Sequence, residues 1–432
     1  MKISFIYPSF ERHANSHPEL LEYVPCDEYL GSPSLGLTRL SALTPKHHEV
    51  KFTDDRVNRF NPDGDEADLY AISFFTPAAT RAMEIGRELL ARGKQVVMGG
   101  IFPTTLPDEV QSSCTSVVIG EGEPVWKQIL ADAETKTLKR RYRADRPYDL
   151  TGAGTPDIGL YIDTENEQYR PDDYPLQLCR GCPVRCVACA IPAVMGTQFR
   201  FFDHETNIQA ALELYRRGKR MCITEDTLFL PKNRRIFKNF LLDLYERTDH
   251  QPIRISYIGI SMPMILNLDA ELLKLLVKIG CNRFYLVCGF DPITQRGFGL
   301  GETKELAQCR EAIMRCHDYG ILPYISLLVG TDFDDESVFD RQLEFTHDTK
   351  IQTAEFAIST PYPGTPAWAK MNQEDRILSR NWSKYNDANV VFRPKNLSPE
   401  RLQRGYLDLW KNFYGSRQFL REAGHELATV QF

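Results

Sequence analysis

The sequence predicts an α/β protein: a Rossmann-like amino-terminal domain, a partial TIM-type (β/α)6 barrel and a carboxy-terminal helical tail. Residues 1 to about 145 alternate apolar runs of four to six residues with helical patterns, which implies a parallel sheet covered on both faces. From Pro175 the alternation resumes for six strand–helix units, an arrangement that suits a partial barrel. At 432 residues and 42% hydrophobic, the chain can bury cores for two such domains and a tail. The boundaries follow at 1–145, a linker over 146–170, a second domain over 171–370 and a tail over 371–432.

In the first domain Lys2–Tyr7, Glu49–Asp54, Leu69–Phe75, Gln95–Met98 and Ser116–Ile119 read as strands. Leu35–Leu43, Ala78–Arg92 and Pro124–Ala131 read as helices. Ligands of such a sheet sit beyond the carboxyl ends of its strands. There the chain places Pro8-Ser9, Phe75-Thr76-Pro77, Gly99-Gly100-Ile101-Phe102-Pro103-Thr104 and Gly120-Glu121-Gly122-Glu123-Pro124. Glycine pairs let backbone approach a bulky ligand, and aromatic and proline edges suit a planar one. No G-x-G-x-x-G follows the first strand, which disfavours NAD and FAD. A flavodoxin-like domain with ordinary turns accounts for the same pattern.

The linker is rich in Asp, Gly, Pro and Tyr. Beyond it Leu176–Cys179, Met221–Thr224, Ile253–Ile260, Arg283–Val287, Leu322–Val329 and Thr353–Ser359 read as the six strands. Helices near Glu205–Arg217, Arg234–Arg247, Asp269–Ile279, Lys304–Tyr319 and Ser337–Asp348 separate them. In the tail, Ser398-Pro-Glu-Arg marks a helix start, with Ser as cap and Pro in the first turn. Upstream, Tyr385, Asn386, Asp387, Asn389 and Arg393 mix aromatic and polar groups as a substrate pocket would. A helical lid sealing the barrel explains much of the same composition.

Cys182-Pro-Val-Arg-Cys186-Val-Ala-Cys189 is the most informative segment. Three thiolates within eight residues can hold three corners of a [4Fe-4S] cluster and leave the fourth iron open to a cofactor or substrate. A zinc knuckle is the alternative, but zinc wants four ligands in paired knuckles and no suitable pair follows nearby. The other eight of the eleven cysteines are scattered and read as small buried hydrophobes, Cys179 being worth watching for its place just before the motif. Arg180 and Arg185 flank the thiolates, where they could raise a cluster's potential or be ordinary surface residues.

A net charge of −6 gives no basic footprint, so nucleic acid is a poor partner. The longest apolar stretches, such as Tyr324–Val329, are strand-length, so membrane insertion is not expected. The first residues read as a strand and not as a signal peptide, and the cysteine usage suits a reducing cytoplasm.

Ser32-Pro-Ser-Leu-Gly-Leu-Thr-Arg, Val97-Met-Gly-Gly-Ile-Phe-Pro-Thr and Val118-Ile-Gly-Glu-Gly-Glu-Pro-Val-Trp, together with the cysteine motif, resemble the cobalamin-dependent radical S-adenosylmethionine enzymes over nearly the whole chain. The resemblance implies an amino-terminal cobalamin-binding domain, with Pro8, Ser9, Phe75, Thr76, Gly99, Gly100, Phe102, Pro103, Gly120, Glu121, Gly122 and Glu123 around the cofactor. The Asp-x-His-x-x-Gly signature is absent and no His lies between His48 and His204, so cobalt would lack a protein imidazole. The open iron would chelate S-adenosylmethionine, whose reductive cleavage yields a 5′-deoxyadenosyl radical. Glu225 and Asp226 match the position that receives the cofactor's amino group. Ser261, Asp291 and Ser326 are candidates for ribose or carboxylate contacts, and Pro361, in Thr360-Pro-Tyr-Pro-Gly-Thr-Pro, belongs to a closing loop near adenine. The family usually has an aromatic residue before the third cysteine; here it is Ala188, so adenine contacts must come from elsewhere.

The implied activity is radical C-methylation of an unactivated carbon, with methylcobalamin as methyl donor. A cyclase, oxidase or ring-rearranging enzyme with the same cofactors is the alternative, and a non-catalytic cobalamin sensor a third. Expected partners are a small-molecule or peptide substrate and a low-potential flavodoxin- or ferredoxin-type electron donor, in an anaerobic setting. Tyr385, Asn386, Asn389 and Arg393 are the substrate candidates.

Overall fold

The computed structural model describes residues 1–11, 16–23, 31–167, 169–286 and 306–415. Six strands make the first sheet: β1 (Lys2–Tyr7), β2 (Glu49–Asp54), β3 (Leu69–Ser73), β4 (Gln95–Gly99), β5 (Ser116–Ile119) and β6 (Arg141–Arg143). All pair in parallel, in the order β2-β1-β3-β4-β5-β6. This is the flavodoxin-like order, whose switch point lies between β1 and β3. Strand β6 escapes sequence reading because its three residues bury Tyr142 alone, leaving no apolar run to detect. Helices Ala79–Ala91 and Glu123–Glu134 cover the sheet, Trp126 packing 5.7 Å from Phe5.

The second sheet is also parallel and has six strands, in the order β14-β13-β12-β11-β10-β7. They are β7 (Tyr174–Pro175), β10 (Met221–Ile223), β11 (Ile255–Ile260), β12 (Arg283–Leu286), β13 (Leu322–Val329) and β14 (Thr353–Ile358). Ile258, Phe284, Ile325 and Phe356 are fully buried on these strands, giving each a share of one apolar layer.

One strand differs from expectation. The run Leu176–Cys179 is not the first strand of the second sheet. The chain leaves that sheet after Leu176, whose N–H still reaches Cys222 O at 2.8 Å. Cys179–Arg180 (β8) then pairs antiparallel with Arg200–Phe201 (β9). The hairpin exists because Gly181, at φ +83°, turns the chain immediately after Arg180; a Cβ there would lie 2.1 Å from Gln198 O.

Helix Pro399–Gly415 packs Leu402, Tyr406, Leu409 and Phe413 into the core, against β14 and helix Val338–Asp348. The Tyr414 hydroxyl donates to Ala354 O at 2.6 Å and accepts from Ala354 N–H at 3.2 Å, covering the outer edge of β14. At Gly405 the helices approach so closely that a Cβ would sit 2.1 Å from the Phe339 ring. Gly405→Ala is therefore expected to destabilise by about 1–3 kcal/mol through overpacking, more than the roughly 1 kcal/mol helix propensity returns. A lowered denaturation midpoint checks this.

Candidate functional site

The loop between β8 and β9 carries the three cysteines. Cys182 N–H donates to Gly196 O and Cys189 N–H to Cys186 O, each at 3.2 Å, so the loop is wound on itself. Cys182, Cys186 and Cys189 are half-buried, whereas the other six described cysteines are buried. Burial pushes the Cys114, Cys281 and Cys316 thiols up to about 12 and raises that of Cys222. Those thiols stay protonated, while the loop trio is only half-buried and can be reached. Cys179 is buried, with Sγ 4.0 Å from Thr227 Oγ1.

Two further segments converge on this loop. Ala367 N–H, just after the Thr360–Pro366 turn, donates to Val187 O at 2.9 Å. Within that turn Pro361 is buried, and a Cβ on Gly364 would lie 2.3 Å from Thr105, beyond β4. Glu225 follows β10. Its Oε2 is buried without a hydrogen-bond partner, and burial pushes the carboxyl up to about 7 against the opposing pull of nearby backbone amides, Leu178 and Cys179 among them. Asp226 opens the turn Asp226–Phe229. Ser261 precedes helix Met262–Leu266. Ser326 is buried on β13, in register with Glu355. Asp291 lies outside the described residues.

At the carboxyl edge of the first sheet the expected ligand residues divide. Ser9, Phe75, Gly99, Gly100, Gly120 and Gly122 are half-exposed there or at the adjoining turns, whereas Pro8 is buried. Ser9 N–H donates to Asp55 at 3.0 Å, and Phe75 meets Phe10 edge-on at 4.7 Å. The others serve the fold. Thr76 is buried at the head of a short turn. Pro103 is buried, and Phe102 packs between Phe74 at 6.0 Å and Trp382 of the tail at 5.1 Å. A cavity of about 180 Å³ opens between this edge and the cysteine loop, lined by Thr104, Gly120, Arg143, Arg146 and Met195 among others.

Glu121 and Glu123, expected beside a ligand, face inward. The Arg180 guanidinium donates to Glu121 at 2.9 Å and to Glu123 at 2.6 Å. Arg200, opposite on β9, donates to Glu121 at 3.0 Å and to Met195 O at 2.8 Å. Glu121 also accepts from Tyr148 N–H at 2.7 Å. A third guanidinium, Arg39, lies 3.9 Å over the Phe202 ring, with Arg180 5.5 Å away on that ring. Burial, then Arg180, lowers Arg39 to about 10. Burial alone would raise the Glu123 carboxyl, but Arg180 outweighs it and holds it below the usual carboxylate range. Arg180 is 6% exposed, so it is neither a surface residue nor a solvated charge beside the thiolates.

The tail candidates are engaged within the protein. Tyr385 is fully buried, 5.1 Å from Trp382 and 5.9 Å from Trp368, its hydroxyl donating to Ser379 O at 2.6 Å. Asn386 donates to Glu11 O at 3.2 Å and to the Ser16 hydroxyl, and accepts from Asn389 at 2.9 Å, pinning residues that follow β1. Arg393 is exposed and pairs through its backbone with Arg376. Sequence reasoning missed a different set. Tyr285 and Tyr324 both donate to Glu355, Tyr324 at 3.0 Å, with Tyr257 5.8 Å from Tyr285. The signal was the period-2 alternation of these strands, which sets polar residues between apolar ones on a single face.

No family model matches the chain. It is 29% identical over 411 residues to bacteriochlorophyllide d C-12(1)-methyltransferase of Chlorobaculum tepidum, covering 93% of this chain and 87% of that protein. Its fold is similar to that of the radical S-adenosylmethionine methyltransferase TsrM from Kitasatospora setae, solved with tryptophan and an S-adenosylmethionine analogue. There the TM-score is 0.67 at 15% identity, covering 94% of this chain and 83% of that one. It is similar also to the cobalamin-dependent S-adenosylmethionine radical enzyme OxsB, solved with aqua-cobalamin and S-adenosylmethionine, with a TM-score of 0.66 at 15% identity over 99% of this chain and 72% of that one.

Proposed function

We infer that this chain, a cobalamin-dependent radical S-adenosylmethionine enzyme, methylates an unactivated carbon of a small molecule. One observation carries the reading to its own residues: three half-buried thiols stand on a hairpin loop beside the carboxyl edge of a flavodoxin-like sheet. When bound, the cluster and S-adenosylmethionine supply a carbon-centred radical, and cobalamin supplies the methyl group.

The donor set fits a cluster. Cys182, Cys186 and Cys189 would hold three irons, and the fourth would be left to the S-adenosylmethionine amino acid moiety. The Glu225 Oε2, buried without a hydrogen-bond partner, suits an ammonium donor, which would also draw the carboxyl back to its charged form. Ser9, Phe75, Gly99, Gly100 and Gly120 would border cobalamin on residues 1–145. The six strands from Tyr174 to Ile358 would form the partial barrel, the tail closing it. Tyr257, Tyr285, Tyr324 and Glu355 would shape the space on its polar face. The similarity to a bacteriochlorophyllide methyltransferase supports a cyclic tetrapyrrole side chain as the substrate class.

Anaerobic incubation of reconstituted enzyme with bacteriochlorophyllide d, S-adenosylmethionine, cobalamin and a low-potential reductant tests this. Methylated product, with both S-adenosylhomocysteine and 5′-deoxyadenosine, is expected. Substrate conversion with 5′-deoxyadenosine but no added methyl would point instead to a cyclase or oxidase. Tyr385→Phe is expected to cost about 1 kcal/mol of stability for its lost hydrogen bond and to leave the KM for substrate unchanged. A raised KM would return Tyr385 to the substrate pocket.

A further inference from the structure

The buried carboxylates Glu121 and Glu123 are placed oddly for ligand contacts. They leave the first sheet directly after β5, at the edge where cobalamin would bind, yet both point into the second domain. Their partners are the two strands that carry the cysteine loop: Arg180 on β8, two residues before Cys182, and Arg200 on β9. Arg200 also holds Met195 O, the far side of the same loop, at 2.8 Å. The loop is therefore fixed at its root and its return to one short segment of the other domain.

We propose that Glu121 and Glu123 are positioning residues. They clamp the cysteine hairpin to the carboxyl edge of the first sheet and so fix the separation of the two reacting centres. This inference rests on the methyl-transfer reading, in which a radical made beside the cysteine loop must meet a methyl group held on the first sheet. Reactions between two held partners are steep in distance: a misplacement of about 1 Å can cost on the order of 100-fold.

The charge pattern makes the clamp rigid. Two guanidiniums, Arg180 and Arg200, pair with two carboxylates whose side chains are almost wholly covered, and a third, Arg39, is buried beside Arg180. Charge-assisted bonds of this kind are short and directional, and neutralising Glu123 leaves Arg180 and Arg200 sharing the single carboxylate of Glu121. Arg39 and Arg180 share the Phe202 ring, so without Glu123 the two like charges repel across it and the root of the cysteine loop must move. The domains themselves would stay together, since the Ser32 N–H donates to Asp173 O at 3.0 Å and joins them elsewhere.

Glu123→Gln keeps the side-chain shape and removes the charge. In reconstituted full-length enzyme, iron content and cobalamin binding are expected to match wild type, while the ratio of 5′-deoxyadenosine to methylated product rises roughly 10- to 100-fold. Hydrogen exchange at the amides of residues 182–196 should accelerate in the same variant, and Glu123→Asp should restore part of both. An unchanged product ratio, with or without faster exchange, overturns the positioning role. If wild type makes 5′-deoxyadenosine but never methylates, the functional reading fails by itself, and unchanged exchange in Glu123→Gln would then separately overturn the clamp.

Discussion

Replacing Cys182, Cys186 or Cys189 with Ala is expected to abolish both the iron–thiolate absorbance and all product. A cluster held by three thiolates cannot spare one, and the thiols of Cys114, Cys222, Cys281 and Cys316 are held protonated by burial. The fold should survive, because the trio is half-buried on a loop outside the core. Cobalamin should still bind through the first sheet. Cys179→Ala is the matched control: a core side chain is shortened and the cluster remains. Iron and sulfide content, visible absorbance and product mass measure each arm, and a cluster persisting in any of the three loop variants would sink the assignment.

Glu225→Gln should give the second-largest effect, with opposite signs in two assays. Losing the charged partner of a buried ammonium typically costs about 2–5 kcal/mol, so kcat/KM for S-adenosylmethionine should fall by roughly 30- to several-thousand-fold. Stability without cofactors should rise. The carboxyl binds its proton more tightly folded than unfolded, its value being pushed from 4.5 up to about 7 by burial. Its contribution is complete below the unfolded value and is lost as pH rises through 7, about 3 kcal/mol in all. Wild-type protein without cofactors should therefore lose stability between pH 5 and 8, and Glu225→Gln should flatten that slope. A parallel slope in the two proteins would place the titration elsewhere.

The cysteine motif was legible because three thiolates at that spacing have few other uses, and the sheets because parallel strands buried on both faces read as apolar runs. The hairpin was not legible. Leu176–Cys179 has the composition of a strand, and nothing local says that a guanidinium one residue later will be drawn to the edge of the other sheet by Glu121 and Glu123. Those glutamates misled for the same reason: in sequence each follows a glycine in a turn, and only their partners fifty-seven to seventy-nine residues away reveal an inward role. Tyr385 and Asn386 carry the polar and aromatic mix of a pocket, but that mix equally suits a buried hydroxyl satisfied by Ser379 O and an amide tying down a distant loop. Glu355 went unnoticed because a lone acid between Ala354 and Phe356 has no motif; its two tyrosine partners come from separate strands.

The contact of Tyr414 with both polar groups of Ala354 bears on biosynthesis. Until helix Pro399–Gly415 has emerged from the ribosome, β14 offers an unpaired border of amides and carbonyls, the kind of surface that recruits a strand from another molecule. Products ending before residue 399 should therefore associate with one another however well the preceding strands are made, and chaperone demand during synthesis should peak in the interval between residues 358 and 415.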